Sequence, residues 1–170
     1  MWTGERPAPH EARGESVLTD AERLRIDAVM TLYETRVAAS VEAMRIVQEV
    51  RGWVSDEALA DVAEYLDVST SSLESLATFY SMIFRKAVGR HVIMVCDSVC
   101  CWMEGSEELV ARIGERLGVG LGETTEDGRF TLLPVVCLGA CDQAPAVLVD
   151  WQLHGNVRAD DLESILVLYP

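Results

Sequence analysis

From Thr19 to Phe84 the apolar residues recur three and four positions apart, the spacing that gives a helix one apolar face. Thr19 with Glu22 forms a capping box ahead of a segment whose Ile26, Val29, Met30 and Tyr33 share a face. Val37, Val41 and Met44 line a second stretch that stops at Gly52. Ser55, followed by Asp56 and Glu57, caps a third helix with Leu59, Val62, Ala63 and Leu66 on its stripe. Ser71 and Glu74 box a fourth, with Leu73, Leu76, Ala77 and Tyr80 inward. The aromatics Phe79, Tyr80 and Phe84 are expected in its core. Residues 19–87 therefore read as a helical bundle, and residues 1–18, mixed in Gly, Pro, Glu and Arg without periodicity, as a flexible tail.

Past Arg85, Lys86 and Gly89 the period shortens to β-rich runs, which places a domain boundary near residue 88. His91–Val95 reads as a buried strand, Ser106–Leu117 as a helix with Val110, Ile113 and Leu117 on one side, and Gly118 as its end. A Gly-rich loop over 119–129 leads to a second strand, Phe130–Val136, then a third, Ala146–Asp150. A turn near His154, Gly155 and Asn156, flanked by a further short β piece, leads to a last helix over 159–168. The order fits an α/β fold, an N-terminal helical bundle followed by a thioredoxin-like domain over 88–170.

Composition narrows the function. The chain has 170 residues, 49% of them hydrophobic, enough to bury a core. Its 28 acidic against 14 basic residues give a formal charge of −14, and Lys86 is the one lysine. Such a balance opposes binding to nucleic acid or anionic lipid, which is recognised through clustered Lys and Arg. Ala58–Ala77 has the outline of a helix-turn-helix, but residues 55–84 hold Asp56, Glu57, Asp61, Glu64, Asp67 and Glu74 with no Lys or Arg. A recognition helix there would have no basic contact to phosphate. No apolar run reaches membrane-span length and the opening residues hold no hydrophobic signal segment, so a soluble cytoplasmic protein is expected.

In a reducing compartment five cysteines point to ligands or redox groups. The first strand runs into Cys96 and the second into Cys137. A right-handed crossover through the intervening helix makes those strands parallel near neighbours, with their carboxyl-end loops side by side. Each loop carries further cysteine: Cys96-Asp-Ser-Val-Cys100-Cys101 in one, Cys137-Leu-Gly-Ala-Cys141 in the other. A structural zinc knuckle tolerates spacings near these. A dithiol enzyme would want C-x-x-C, which neither loop has. A 2Fe-2S cluster needs two thiolates on each of two irons, which two such loops supply. Spacing leaves all three open, inert thiols included, and leaves Cys100 and Cys101 interchangeable.

Two runs carry a resemblance: ATFYSMIFRKAVGRHVIMVCDSVCCW, Ala77 to Trp102, and DGRFTLLPVVCLGACDQAP, Asp127 to Pro145. Together they closely resemble the family of thioredoxin-like 2Fe-2S subunits, the E subunits, of bacterial NADH:quinone oxidoreductase, respiratory complex I. The likeness extends more weakly through the helical half and to the C-terminus. It implies that Cys96 and Cys101 hold one iron and Cys137 and Cys141 the other, with Cys100 a bystander for which the family pattern has no need. It further implies an electron-transfer component of an NADH dehydrogenase without a catalytic site of its own. The cluster would take one electron from FMN on the NADH-binding F subunit, with the iron-sulfur G subunit as a second partner, in a peripheral arm on the cytoplasmic face of the inner membrane. Rivals are the equivalent diaphorase component of an NAD-linked hydrogenase or formate dehydrogenase, and a free thioredoxin-like ferredoxin, which would need only residues 88–170.

A cluster of two ferric ions, two sulfides and four thiolates carries two net negative charges, and Asp97, Glu104 and Asp142 disfavour a third. A low potential is expected, on the order of −400 mV. Backbone N–H groups around Gly139 and Ala140 would partly offset that repulsion. Gly139 serves either close approach to the cluster or a plain tight turn, and Trp102 either shields the cluster or anchors an interface. Gly118, Gly120 and Gly122 follow a helix and precede a strand, the reverse of a dinucleotide-binding loop. His10, His91 and His154 are scattered and form no site.

Overall fold

The computed structural model describes residues 18–170, so the expected tail lies outside the described residues except for Leu18, which is buried among the helices. The chain divides into two compact units, the first ending at Ala87 and the second running from Val88 to Pro170.

Among the described residues the first unit holds four helices: α1 (Asp20–Met30), α2 (Ser40–Arg51), α3 (Asp56–Leu66) and α4 (Thr70–Phe79), with a 3-10 turn over Val37–Ala39 before α2. Thr19 caps α1 as its box requires: its N–H donates to Glu22 Oε2 at 2.8 Å and its hydroxyl accepts from the Glu22 N–H at 3.3 Å. Ser55 Oγ accepts from the Ala58 N–H at the head of α3. Gly52, at φ +83°, ends α2, and Asp67, at φ +54°, ends α3. Ile26, Met44, Val47, Leu59, Val62, Leu66 and Leu73 interlock as the core.

Three expectations fail here. The cap of α4 is Ser69, whose hydroxyl accepts from the Ser72 N–H at 3.2 Å. Ser71 lies inside the first turn, and Glu74 pairs with Arg85 at 2.8 Å instead of boxing the helix start. Tyr33 and Val37 fall beyond the helical faces assigned to them and are exposed. Of the three aromatics expected inside, only Phe84 is buried; α4 ends before Tyr80, and Phe79 and Tyr80 stack edge to face in solvent.

A buried carboxylate underlies the bundle. Glu22, besides capping, is fully enclosed and forms two hydrogen bonds of 2.8 Å with Arg51 at the end of α2. Burial pushes its carboxyl up, but the Arg51 guanidinium and the Thr19 donors outweigh that and hold it below the usual 4.5.

The second unit is a four-stranded sheet in the order β2-β1-β3-β4. The central strand β1 (His91–Cys96) is buried along its whole length, runs parallel to β2 (Phe130–Val135) and antiparallel to β3 (Val147–Val149), which turns into β4 (Gln152–His154). Ile93, Val95, Phe130, Leu132, Val147 and Val149 share one face. It is packed by α6 (Ser106–Leu117) through Leu109 and Ile113 and by α7 (Leu162–Leu166) through Leu162 and Leu166. Gly118, at φ +70°, ends α6.

The tight turn after β3 is Asp150–Trp151, both at positive φ, and His154 belongs to β4 instead of to the turn. The pair Asp150-Trp151 has tryptophan where the Asn-Gly or Asp-Gly signature of a two-residue hairpin has glycine. Asp150 is held there by its side chain, which accepts from the Val92 N–H at 3.0 Å and meets His91 Nδ1. The last helix is shorter than expected, a 3-10 turn over Ala159–Asp161 followed by α7. Between β1 and α6 a short helix, α5 (Val99–Met103), replaces what reads from the sequence as loop.

Candidate functional site: paired cysteines at the ends of two parallel strands

The parallel pairing of β1 and β2 sets Cys96 opposite Val135, two residues before Cys137. Backbone bonds clamp this end of the sheet: the Asp97 N–H donates to Val135 O at 3.0 Å and the Cys96 N–H to Ala146 O at 3.1 Å. Both cysteine-bearing segments therefore leave adjoining strands at the same edge. The Cys96 thiol reaches across to Val136 O at 3.4 Å.

The segment after β1 turns at once into α5, so Cys100 and Cys101 are presented by a helix. Successive helical positions diverge by about a quarter turn, and the two neighbours have different surroundings. Cys101 is buried and lies with Cys96, which is buried too. Cys100 is half-buried and lies with Cys141.

The segment after β2 presents two exposed thiols, Cys137 and Cys141, with sulfurs 3.8 Å apart. Gly139 between them sits at φ +76°, a conformation that carries a steric cost for residues with a Cβ. Its N–H points to Cys137 Sγ at 3.3 Å. No protein atom outside its immediate neighbours would meet a Cβ there within 4 Å, so among the protein's own groups this glycine serves the turn and its hydrogen bond.

Four of the five sulfurs thus fall in two pairs, Cys96 with Cys101 and Cys137 with Cys141, with Cys100 between them in the chain and half-buried. Burial pushes the Cys101 thiol up, with the adjoining Cys96 adding to it and a hydrogen bond from the Ala146 backbone opposing. Hydrogen bonding with Cys137 and Cys100 pushes Cys141 up to about 11. Thiols that resist ionisation through mutual crowding are relieved when a cation binds, since a metal-bound thiol is deprotonated outright. Among the described residues no three His, Cys, Asp or Glu side chains are arranged to hold a single metal ion. Two thiol pairs at one sheet edge, with a backbone donor aimed at a sulfur, suit a binuclear iron-sulfur centre that takes two thiolates on each iron.

The surroundings are apolar and acidic. Val99, Trp102 and Met103 on α5 and Val136 before Cys137 are each more than half exposed. Trp102 is 56% exposed and so is not a buried lid. Asp97, Glu104 and Asp142 are exposed around them. His91 and His154 lie elsewhere: His91 with Asp150 at the opposite end of β1, His154 donating to or accepting from the Tyr169 hydroxyl at 2.8 Å. Sequence reasoning passed over α5, the divergence of Cys100 from Cys101, and the His91 with Asp150 pair. Ser98 before α5 is a weak cap signal, and its side chain makes no capping bond.

Comparison with known proteins gives the family. The family model described as thioredoxin-like [2Fe-2S] ferredoxin matches residues 26–169. The E subunit of NADH-quinone oxidoreductase from Pseudomonas aeruginosa is 52% identical over 90% of this chain and 92% of its own length. Its namesake from Escherichia coli K12 is 45% identical over 89% and 92%. Among solved structures, an NAD+-reducing [NiFe]-hydrogenase in the H2-reduced state superposes with a TM-score of 0.62 at 23% identity. That match spans 78% of this chain and 21% of the hydrogenase chain, and it speaks for the fold alone. No helix among the described residues is long and apolar enough to cross a membrane. With its fold, its paired cysteines and these relatives in agreement, the chain belongs to the thioredoxin-like [2Fe-2S] ferredoxin family, on the branch that holds the E subunits of NADH-quinone oxidoreductase.

Proposed function

We propose that this chain is the electron-transferring E subunit of an NADH:quinone oxidoreductase, with Cys96 and Cys101 holding one iron and Cys137 and Cys141 the other iron of one 2Fe-2S cluster. The observation that carries the reading is the parallel register of β1 and β2, which delivers Cys96 and Cys137 to one sheet edge. The relatives from NADH-quinone oxidoreductases support the assignment to a complex. When bound, the cluster supplies one-electron chemistry at low potential.

The chain's own residues do the rest. β1 and α5 enclose the Cys96 and Cys101 pair, excluding water from one side. The Cys137 and Cys141 pair lies exposed, on the side where an electron can pass to a partner. The Gly139 N–H, directed at Cys137 Sγ, stabilises added negative charge on sulfur, while Asp97, Glu104 and Asp142 oppose it. The exposed Val99, Trp102, Met103 and Val136 form an apolar rim of the kind that a permanent partner covers. The partner proposed for that rim is the NADH-binding F subunit, whose FMN exchanges the electron, with the iron-sulfur G subunit as a further neighbour. This chain binds neither NADH nor FMN, and its place is the peripheral arm on the cytoplasmic face of the inner membrane.

Electron paramagnetic resonance on dithionite-reduced, anaerobically purified protein, with iron and acid-labile sulfide analysis, tests the cluster. A rhombic signal from a one-electron-reduced binuclear centre supports it; a colourless zinc protein overturns it. Co-purification with a flavin-bearing partner and a quinone-reducing membrane arm tests the complex. Isolation with a hydrogenase or formate dehydrogenase, or as a free carrier, overturns that assignment.

A further inference from the structure

The segment that opens at Cys141 is held from a flank that contains no cysteine. The chain makes a 3-10 turn over Cys141–Gln143, closed by the Gln143 N–H on Ala140 O at 3.0 Å. On one side this segment is fastened to β1, where the Cys96 N–H meets Ala146 O at 3.1 Å. On the other, two bonds fasten it to the loop after β4: the Asn156 N–H donates to Gln143 O at 2.6 Å and the Val157 N–H to Pro145 O at 3.0 Å. That loop is itself anchored, because Val157 is buried with Val147, Val149 and Leu162.

The chemistry of two loop residues fits them to this contact. Gly155 faces Gln143 with no room for a side chain. A Cβ there would stand 2.6 Å from Gln143 Cβ and 2.7 Å from Gln143 Oε1, inside the roughly 3.5 Å at which non-bonded carbons come to rest. The Cβ of Gln143 is fixed to its backbone, so it gives way only if the turn that opens at Cys141 moves. Asn156 follows at φ +54°, a left-handed conformation that Asn tolerates and in which β-branched residues are outliers. In that conformation its N–H meets Gln143 O. Cys137 is placed by β2, which ends two residues before it, whereas Cys141 is placed by this turn.

Building on the ligand set proposed above, we propose that Gly155 and Asn156 are positioning residues for the outer iron: acting through Gln143, they set where Cys141 Sγ stands. Neither residue is a ligand. Groups behind a ligand fix its orientation, and their loss costs about tenfold or more in metal retention.

The test uses the full chain purified anaerobically with its cluster. The variants are Gly155→Ala, Gln143→Ala, Gln143→Gly, Gly155→Ala combined with each Gln143 change, Asn156→Gly and Asn156→Val. Iron and sulfide content, the g values of the reduced state, the midpoint potential and the rate of iron release to a chelator are read beside the urea midpoint of unfolding. Gly155→Ala is expected to keep the wild-type iron and sulfide, with shifted g values and potential and about tenfold faster release of iron. The obstruction lies at Gln143 Cβ, so adding Gln143→Gly restores the g values to those of Gln143→Gly alone, and adding Gln143→Ala does not. Asn156→Gly keeps the N–H and accepts the positive φ, and it matches the wild type; Asn156→Val shifts the g values. A lowered urea midpoint with unchanged g values and potential in both Gly155→Ala and Asn156→Val overturns the proposal, since a loop that only stabilises the fold would act so. Equal rescue by Gln143→Ala and Gln143→Gly overturns it as well. If Gly155→Ala does not fold or load, the combination with Gln143→Gly carries the test, and absence of rescue there overturns the proposal. A wild type without acid-labile sulfide overturns the function proposed above and this inference with it, whereas a loaded wild type with unresponsive variants overturns this inference alone.

Discussion

Cys96 and Val135 stand opposite each other in the parallel register of β1 and β2, and that single pairing decides which thiols can meet. The backbone bond from Asp97 to Val135 continues the ladder one residue past Cys96, so the segment holding Cys137 leaves the sheet level with the segment holding Cys101. The thiol of Cys96 is buried, with Val136 O as its acceptor at 3.4 Å and Cys101 beside it. On the proposed ligand set, Cys96→Ala leaves one iron with a single thiolate. The expected outcome is loss of the visible charge-transfer absorption with the far-UV helical signal preserved, checked by absorbance and circular dichroism on one sample.

Asp150 determines how β3 turns, and its carboxylate ties that turn to β1. It accepts the Val92 N–H at 3.0 Å, meets His91 Nδ1, and occupies the first of two positive-φ positions. Asp150→Ala strips the buried Val92 N–H and His91 Nδ1 of their partner, a loss of about 2 kcal/mol for buried polar groups left unpaired. Asp150→Asn keeps an acceptor for Val92 and is expected to lose roughly half as much. Denaturant unfolding of the three proteins checks the ranking; equal stability of wild type and Asp150→Ala would show that the turn stands without its side chain.

The helical half and the cysteine-tipped strands are legible because their signals are local and redundant. Thr19 with Glu22 and Ser55 with its acidic turn mark helix starts, and HVIMVC is apolar on both faces as a central strand must be. Where signals are short or duplicated, reading fails. The five residues of α5 are too few for a period to show. Ser69, Thr70, Ser71 and Ser72 offer four caps to one helix, and only backbone geometry selects Ser69. The Asp150–Trp151 turn is imposed by a partner 58 residues away, the Val92 N–H, which no window along the chain contains. Phe79 and Tyr80 look like core because aromatics usually are, whereas α4 ends in time to leave both outside. At the site, spacing identifies five cysteines, but the divergence of Cys100 from Cys101 appears only once α5 is known to be helical.

Glu22 makes the stability of the helical unit depend on acid. Its carboxyl is held below 4.5 in the folded chain, and Arg51 is raised by the same hydrogen bonds. A lowered folded value means that the unfolded chain takes up the proton first as pH falls. The contribution is present in full above the ordinary carboxylate value and is lost as pH drops through the lowered one. Glu22→Gln removes the charge and leaves Arg51 without its carboxylate, at a cost of about 3 kcal/mol for this enclosed pair. Urea unfolding followed by the helical signal is expected to separate the two proteins fully above the ordinary carboxylate value of 4.5 and to bring them together as pH falls below it. A separation that persists unchanged at the acid end would show that packing, not the ion pair, holds α1 to α2.

The apolar rim around the thiols gives the last expectation. Trp102 and Met103 sit on α5 directly after Cys101, 56% and 72% exposed, and neither belongs to the buried core of the second unit. A large aromatic in that position contributes to an interface through area removed from water, and truncation of such an anchor costs about 2 kcal/mol of binding, roughly 30-fold in affinity. Trp102→Ala with Met103→Ser is expected to leave iron and sulfide at the wild-type level while weakening retention of the flavin-bearing partner, read by co-purification at graded dilution. Raising salt distinguishes this contact from one made by Asp97, Glu104 and Asp142. An apolar rim holds its partner as ionic strength increases, whereas an acidic one releases it. Unchanged retention in the double variant would place the partner on another face of the chain.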